Sequence, residues 1–383
     1  MSQNTNAYNP IFYAQEALIQ LEKALGMAGR IHRGYDEEHR AFGKGDTINI
    51  RRPSTFTAQN APSAAQDLTP TTVQLTLNYW REVKFKLTDK ELTLTTERII
   101  QEHIRPAAYA LADDVDQKLA ALAFQVPWYF DLTGTAAVPV ISDVTGPYKV
   151  LFNNNVPMGD ETMLHYMVEG GLQQILQNLP SFNQVAQAGS SAEQLQMRGT
   201  LGRKFGMEIF ANQNVQSKVA GTLADTAGAV ATEGAVGATT LDCKNFNAAE
   251  TLKVGDTFVI AGNTQRYALT ADKTIAGGNT VTLAFTPPLV ATASVDAVVT
   301  AETDAHVANL AFHRNFAALA TAPLSEIGNQ LGAKIATVTD PITALALRSR
   351  LFYDGANSAV YVALDILYGL TILDGNLGCR CRG

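Results

Sequence analysis

Three groups of side chains are spaced closely enough to do chemistry. His32 and His39 bracket Asp36, Glu37 and Glu38, and imidazole with carboxylate is a donor set that chelates divalent metals. Asp113, Asp114 and Asp116 crowd into about one helical turn, where neighbouring carboxylates can share a proton or a cation. Cys379 and Cys381 place two thiols one residue apart. Each group also has a plainer reading. The first is a run of mixed charge of the kind that lines a solvated loop. The second is interleaved with Leu111, Val115 and Leu119, which define the apolar stripe, so the acids are expected mostly on the wet side. The third lacks a second cysteine pair and a nearby histidine, so a pair of reduced thiols is expected rather than a zinc site.

The usual signatures of catalysis are missing. There is no Gly-rich phosphate loop with its Lys-Ser/Thr and no G-x-G-x-x-G after a strand. There is no G-x-S-x-G elbow and no H-E-x-x-H. The six histidines are scattered, at 32, 39, 103, 165, 306 and 313. Trp80 and Trp128 lie beside apolar residues and are expected to pack rather than to stack on bases. Arg30, Arg33, Arg40, Lys44, Arg51 and Arg52 are interleaved with Asp36, Glu37, Glu38 and Asp46. That mild positive excess reads as salt-bridged surface before it reads as a face for DNA. No catalytic, cofactor-binding or metal-ligating residue is assigned, and neither a cofactor nor an enzyme activity is expected.

Composition fits a chain whose surface largely faces other protein, though large enzymes reach similar values. The chain has 383 residues, enough for two or three domains, with 46% hydrophobic and only 17% charged residues, as where much surface faces protein. A formal charge of −7 argues against a protein whose main task is gripping nucleic acid. Three cysteines cannot form a disulfide framework, which points to a reducing compartment. The opening Met-Ser-Gln-Asn-Thr-Asn has no basic stretch leading into an apolar one, so no signal peptide is expected. The most apolar run, 359–373, falls short of the roughly 20 residues of a bilayer span and contains Asp365, so no membrane helix is expected.

The elements that must carry these residues follow from periodicity. Phe12, Ala14, Ala17, Leu18, Leu21 and Leu25 make a helical stripe in an N-terminal arm, 1–45. In 46–87, Ile48 and Ile50 alternate, then a Pro/Ala/Ser-rich stretch runs from Pro53 to Pro70. Val73, Leu75, Leu77, Tyr79, Val83, Phe85 and Leu87 then share one parity, which predicts a strand about 50 Å long. Such a two-stranded ribbon is marginal alone and is expected to borrow its order from a neighbouring copy. Ile100, Ile104, Ala108, Leu111, Val115, Leu119 and Leu122 predict a helix over 91–124, kinked or restarted at Pro106. Turns and short strands are expected over 125–159, and a helix over Glu161–Leu179. A strand follows around 206–211. Between 218 and 306 short alternating strands punctuated by Gly, Asn and Pro predict an all-β barrel or sandwich inserted in an α+β host. Phe312, Phe316 and Leu319 restore a helical period, and 358–373 reads as strand buried on both faces.

Several stretches resemble, in order, the coat proteins of tailed bacteriophages. They are Gly45-Asp-Thr-Ile-Asn-Ile-Arg-Arg-Pro53, Asp67-Leu-Thr, Arg105-Pro-Ala-Ala-Tyr-Ala-Leu-Ala-Asp-Asp-Val-Asp116 and Leu201 to Val215. Leu252 to Gly262, Asn309 to Arg314 and Asp365 to Leu373 continue the series, while Met163 to Gln196 departs from it. The group most similar is that of the short-tailed Salmonella phages, whose coat protein has an inserted β-domain. The resemblance implies the α+β Hong-Kong-97-type capsid fold, with a long β-hairpin extended loop, a spine helix and a small inserted all-β domain. It implies an N-terminal arm (1–45), extended loop (46–87), peripheral domain with spine helix (88–149) and axial domain in two parts (150–217 and 307–350). The inserted barrel-like domain would take 218–306 and C-terminal strands 351–383. It further implies hexamers and pentamers of this chain, scaffolding and portal proteins as partners, packaged double-stranded DNA nearby, and a place in the virion. No crosslinking Lys–Asn pair can be placed. A tail-tube or surface-layer subunit would share the low charge and β content, and a hydrolase with a dispersed site has no motif to support it.

Overall fold

A computed structural model describes residues 14, 15, 17, 26–34, 47–52, 58–61, 65, 71–88, 103–188, 190–224, 227–324, 334–339, 346–355 and 359–383. Helices and several sheets are mixed, and the chain divides into two compact units. One unit takes 1–25, 32–115 and 317–373; the other takes 26–31, 116–316 and 374–383.

In the first unit β1 (Thr47–Arg52) pairs antiparallel with β2 (Thr71–Thr76) over six residues, Ile48 opposite Leu75 and Ile50 opposite Val73. The long strand foreseen for 73–87 is broken at Leu77–Asn78. Beyond the break β3 (Tyr79–Thr88) joins a five-stranded sheet with β18 (Ala317–Ala322), β19 (Lys334–Thr339), β20 (Ala346–Asp354) and β21 (Ala359–Ile372). The described stem also packs within its own unit. Ile48, Ile50, Leu75 and Leu77 are buried against Ala318, Ala320 and Ala322 of the same unit. The physical reason is a crossing: a Cβ on Gly369 would lie 2.3 Å from Thr76 O, so only glycine lets β2 pass that close to β21. Most of the tip, 53–70, lies outside the described residues.

β21 is buried on both faces, as its apolar run foretold, and its one acid is fully neutralised. Asp365 accepts from Arg348 Nε at 3.0 Å and Nη2 at 2.5 Å, and from Trp80 Nε1 at 3.1 Å. Trp80 itself is 59% exposed, against the expectation that it packs; its indole N–H is what is anchored.

Helix α1 (Arg105–Ala120) begins with Pro106 in its first turn, where a missing N–H costs nothing. Residues 91–102 of the foreseen helix lie outside the described residues. Ile104, Ala108, Leu111, Val115, Leu119 and Leu122 are all buried, so the stripe holds over the part described.

The second unit contains a seven-stranded sheet. Its order is β4 (Tyr129–Asp131), β22 (Gly378–Arg382), β17 (His306–His313), β5 (Leu164–Val168), β7 (Met207–Ala211) and β6 (Gly202–Lys204), with β8 (Ser217–Lys218) pairing β17. Two helical expectations give way here. Glu161–Leu179 divides into β5 and α3 (Gly170–Gln177), and 309–320 forms β17 and β18. These strands bury polar and apolar residues alike on both faces, Asn309, His313 and Thr321 among them, so no period of two shows, and Phe312, Leu319 and Phe316 of the intervening 3-10 turn match a helical spacing by accident.

The turn-rich stretch 125–159 holds a further surprise, helix α2 (Ser142–Asn153) with Pro147 inside it. Proline cannot donate to the carbonyl four residues back. Tyr166 O–H donates to that carbonyl, Asp143 O, at 3.2 Å, so the helix survives. After α3 come the short helices α4 (Pro180–Asn183), α5 (Val185–Ala188) and α6 (Ser190–Arg198).

Between β8 and β17 six strands close a barrel: β9 (Ala227–Val230), β10 (Thr240–Lys244), β12 (Thr257–Ile260), β13 (Arg266–Leu269), β15 (Val281–Thr286) and β16 (Val298–Glu302). Within the same stretch β11 (Thr251–Leu252) and β14 (Lys273–Thr274) form a small antiparallel ladder. Alternation sends Leu241, Phe258, Ile260, Tyr267, Leu283, Phe285 and Val299 inward to a core of their own.

Candidate functional site

The side chains singled out by spacing do not converge. His32 makes an isolated bridge to Ala318, while Asp36, Glu37, Glu38 and His39 lie outside the described residues. Asp113 is exposed. Asp114 accepts from Tyr368 O–H at 2.7 Å and pairs with Arg81 at 3.1 Å. Asp116 corrects the sequence reading, because it is 2% exposed rather than on the wet side. Its carboxylate takes Met27 N–H at 2.8 Å and the amides of Asn212 and Asn214 at 2.6 and 3.3 Å, tying segment 26–31 to the helix. Cys379 and Cys381 are free, buried thiols on β22, and burial pushes the Cys379 thiol well above its ordinary range. Among the described residues no three of His, Cys, Asp and Glu are placed to hold a metal ion. Of the basic run, Arg30 is paired with Glu208, and Arg40 and Lys44 lie outside the described residues.

One polar hollow of 360 Å³ is lined by Gly29, Arg30, Thr162, His165, Glu208 and Arg314. His165 Nδ1 sits 3.0 Å from Glu208 Oε2, and Arg30 Nη2 lies 2.7 Å from Oε1. Burial lowers the His165 pKa to about 4, outweighing the Glu208 charge. Burial alone would raise Glu208, but the hydrogen bond and charge of Arg30 hold it below its ordinary value. Glu208 thus pairs with Arg30 through one carboxylate oxygen and with the neutral His165 ring through the other, linking segment 26–31 to β5 and β7.

What the spacing of residues did not reveal is the attachment of the barrel to the seven-stranded sheet. Arg380, 1% exposed on β22, donates to Gly255 O at 2.7 Å and Val126 O at 3.2 Å. Burial lowers its pKa to about 10, which still leaves it charged. Gly255 has φ +88°, and a Cβ there would come within 3.0 Å of Arg380 Nη1, so the turn Lys253–Asp256 needs glycine to seat on the guanidinium. Asp256 forms a fully buried ion pair with Lys218 of β8 and accepts Lys253 N–H at 2.7 Å. Around Tyr129, the guanidinium of Arg382 lies 3.4 Å from the ring centroid and that of Arg266 4.6 Å. Tyr129 O–H donates to Glu302 at 2.5 Å, Arg266 pairs with Glu302 at 2.8 Å, and Arg382 reaches Asp131 at 2.6 Å and Asp304 at 2.9 Å. These residues are 250 positions apart in places and lack a shared period, so nothing in the order of residues marks them.

No protein-family model matches the chain, and no curated protein matches its sequence. Solved structures do. A chain of Mycobacterium phage Che8 is similar over 93% of this chain and 90% of its own, at 14% identity and a TM-score of 0.50. The chain shares its fold with a phage protein. Lower similarities include the mature capsid of bacteriophage PhiM1 (12% identity, 88% and 82% covered, TM-score 0.47). The capsid of cyanophage P-SCSP1u is similar at 10% identity, with 88% and 84% covered and a TM-score of 0.45. Among the described residues no helix is long and apolar enough to cross a membrane.

Proposed function

We propose that this chain is the major capsid subunit of a bacteriophage, a protein that encloses double-stranded DNA by self-association and has no enzymatic role. The observation that carries the reading is the likeness to the Che8 phage chain over nearly the whole length of both. The ordered series of coat-protein-like motifs supports it. The reading expects the ribbon 46–87 to borrow order from a neighbouring copy, while its described stem is packed within its own unit. In this reading 46–87 is the extended loop, α1 belongs to the spine helix of a peripheral domain at 88–149, and 218–306 is a domain inserted into the axial domain. Rings of six and five would share one sequence by flexing at the base of the extended arm, a hinge motion. Scaffolding and portal proteins would be further partners, and the virion the final location.

Electron micrographs of the purified chain at high concentration test it. Closed shells, regular or irregular, are expected. Tubes or flat lattices would instead make it a tail-tube or surface-layer subunit, and a chain that stays dispersed as single subunits would overturn the assembly reading.

A further inference from the structure

The barrel's attachment contains one group whose protonation its surroundings oppose. His306 opens β17, where the chain returns from the barrel, and stands opposite Lys218 of β8, where the chain departs for it. Its Nδ1 lies 3.0 Å from Asp304 O, which places the proton of the neutral ring on Nδ1. Its Nε2 is buried with no hydrogen-bond partner. A second proton would therefore go to Nε2, where no acceptor receives it.

The charges around the ring add to the cost. Lys218 faces it from β8, and Arg380 and Arg382 act on it from β22. The nearby acids are engaged elsewhere: Asp256 with Lys218, Asp304 with Arg382, and Glu302 with Arg266 and Tyr129. The barrel's own strands contain no histidine between Ala227 and Glu302, and its core is aliphatic and aromatic.

We propose that His306 is an acid-sensitive catch: adding a proton at Nε2 loosens the attachment of the barrel to the seven-stranded sheet while the barrel itself stays folded. Burial first, and then the Arg380 charge, lower the His306 pKa from 6.5 to about 3. A group with a depressed pKa in the attached state binds protons better when detached. The attachment is then at full strength above pH 6.5 and weakens as pH falls from there toward 3, by about tenfold in the opening equilibrium per pH unit.

Amide hydrogen exchange on the full chain between pH 7 and 4.5, corrected for the intrinsic rate at each pH, tests the proposal. Protection at 216–218, 253–257 and 306–308 is expected to drop about tenfold per unit below pH 6.5. Protection at 258–260 and 281–285 is expected to hold. His306→Gln should flatten the slope at the attachment, and His165→Gln, in the same unit, should leave it. A flat profile in the unaltered chain, or an unchanged slope in His306→Gln, would overturn the proposal. So would parallel loss of protection inside the barrel. If His306→Gln fails to fold, the ring titration of His306 followed by NMR in the unaltered chain decides, since a value at or above 6.5 rules the catch out.

Discussion

Inside the barrel, Phe258, Tyr267 and Phe285 meet ring to ring with centroids 5.2 or 5.3 Å apart, enclosed by Leu241, Ile260, Leu283 and Val299. Where the barrel meets the seven-stranded sheet, the holding contacts are guanidiniums, carboxylates, one lysine and backbone carbonyls. Apolar burial is non-directional and indifferent to proton concentration, whereas buried charge is directional and answers to pH. The contrast teaches that one module can be stable for one reason and attached for another, so that its grip can change without its fold.

The largest effect should come from the interior. Phe258→Ala removes one ring of the trio and is expected to cost about 4 kcal/mol, seen as a lower denaturant midpoint with unchanged slope. A loss under about 1 kcal/mol would break the comparison, because the barrel would then owe its order to something other than its core. Next comes the attachment. Lys218→Met leaves Asp256 buried without its partner and is expected to cost about 3 kcal/mol. The double variant Lys218→Met/Asp256→Leu should recover most of that loss, and a double variant no better than the single would show that packing, not charge, holds the turn.

Acid provides the third test, away from the barrel. His165 is 5% exposed and its pKa is lowered to about 4, below the value in an unfolded chain. Its contribution is therefore complete above pH 6.5 and lost as pH falls toward 4, at up to about 1.4 kcal/mol per pH unit. Urea midpoints across that window should fall less steeply in His165→Gln, with His306 still titrating, and an identical profile would show that His165 contributes nothing there. The smallest effect belongs to the surface. Lys253 and Asp272 pair at 2.8 Å with side chains 39% and 55% exposed, so Lys253→Ala should change stability by no more than about 0.5 kcal/mol, and less in high salt.

Legibility followed how local each signal was. The Gly-Asn and Gly-Gly-Asn turns announced Thr257–Ile260 and Val281–Thr286 as strands, and the three-and-four spacing from Ile104 to Leu122 marked a helix face that is indeed buried. Asp116 was misread because its neighbours Asp113 and Asp114 are exposed or half-buried and nothing local sets it apart; Asn212 and Asn214 come to it from 96 and 98 residues away. The stretch around Pro147 carries the signature of turns, because the phenol that rescues α2 belongs to Tyr166, on a strand later in the chain.

By itself, the order of residues determined the rhythm of the barrel strands, the buried face of α1 and the doubly buried character of Ala359–Ile372. Each depends on neighbours within a few positions, and hydrophobic period records it directly. Tertiary structure alone decided which charges go inside, among them Arg380, Lys218, Asp256, Asp365 and Asp116, and whether 309–320 is strand or helix. A charge can be buried, and a strand paired, only when a partner from far along the chain arrives to satisfy it.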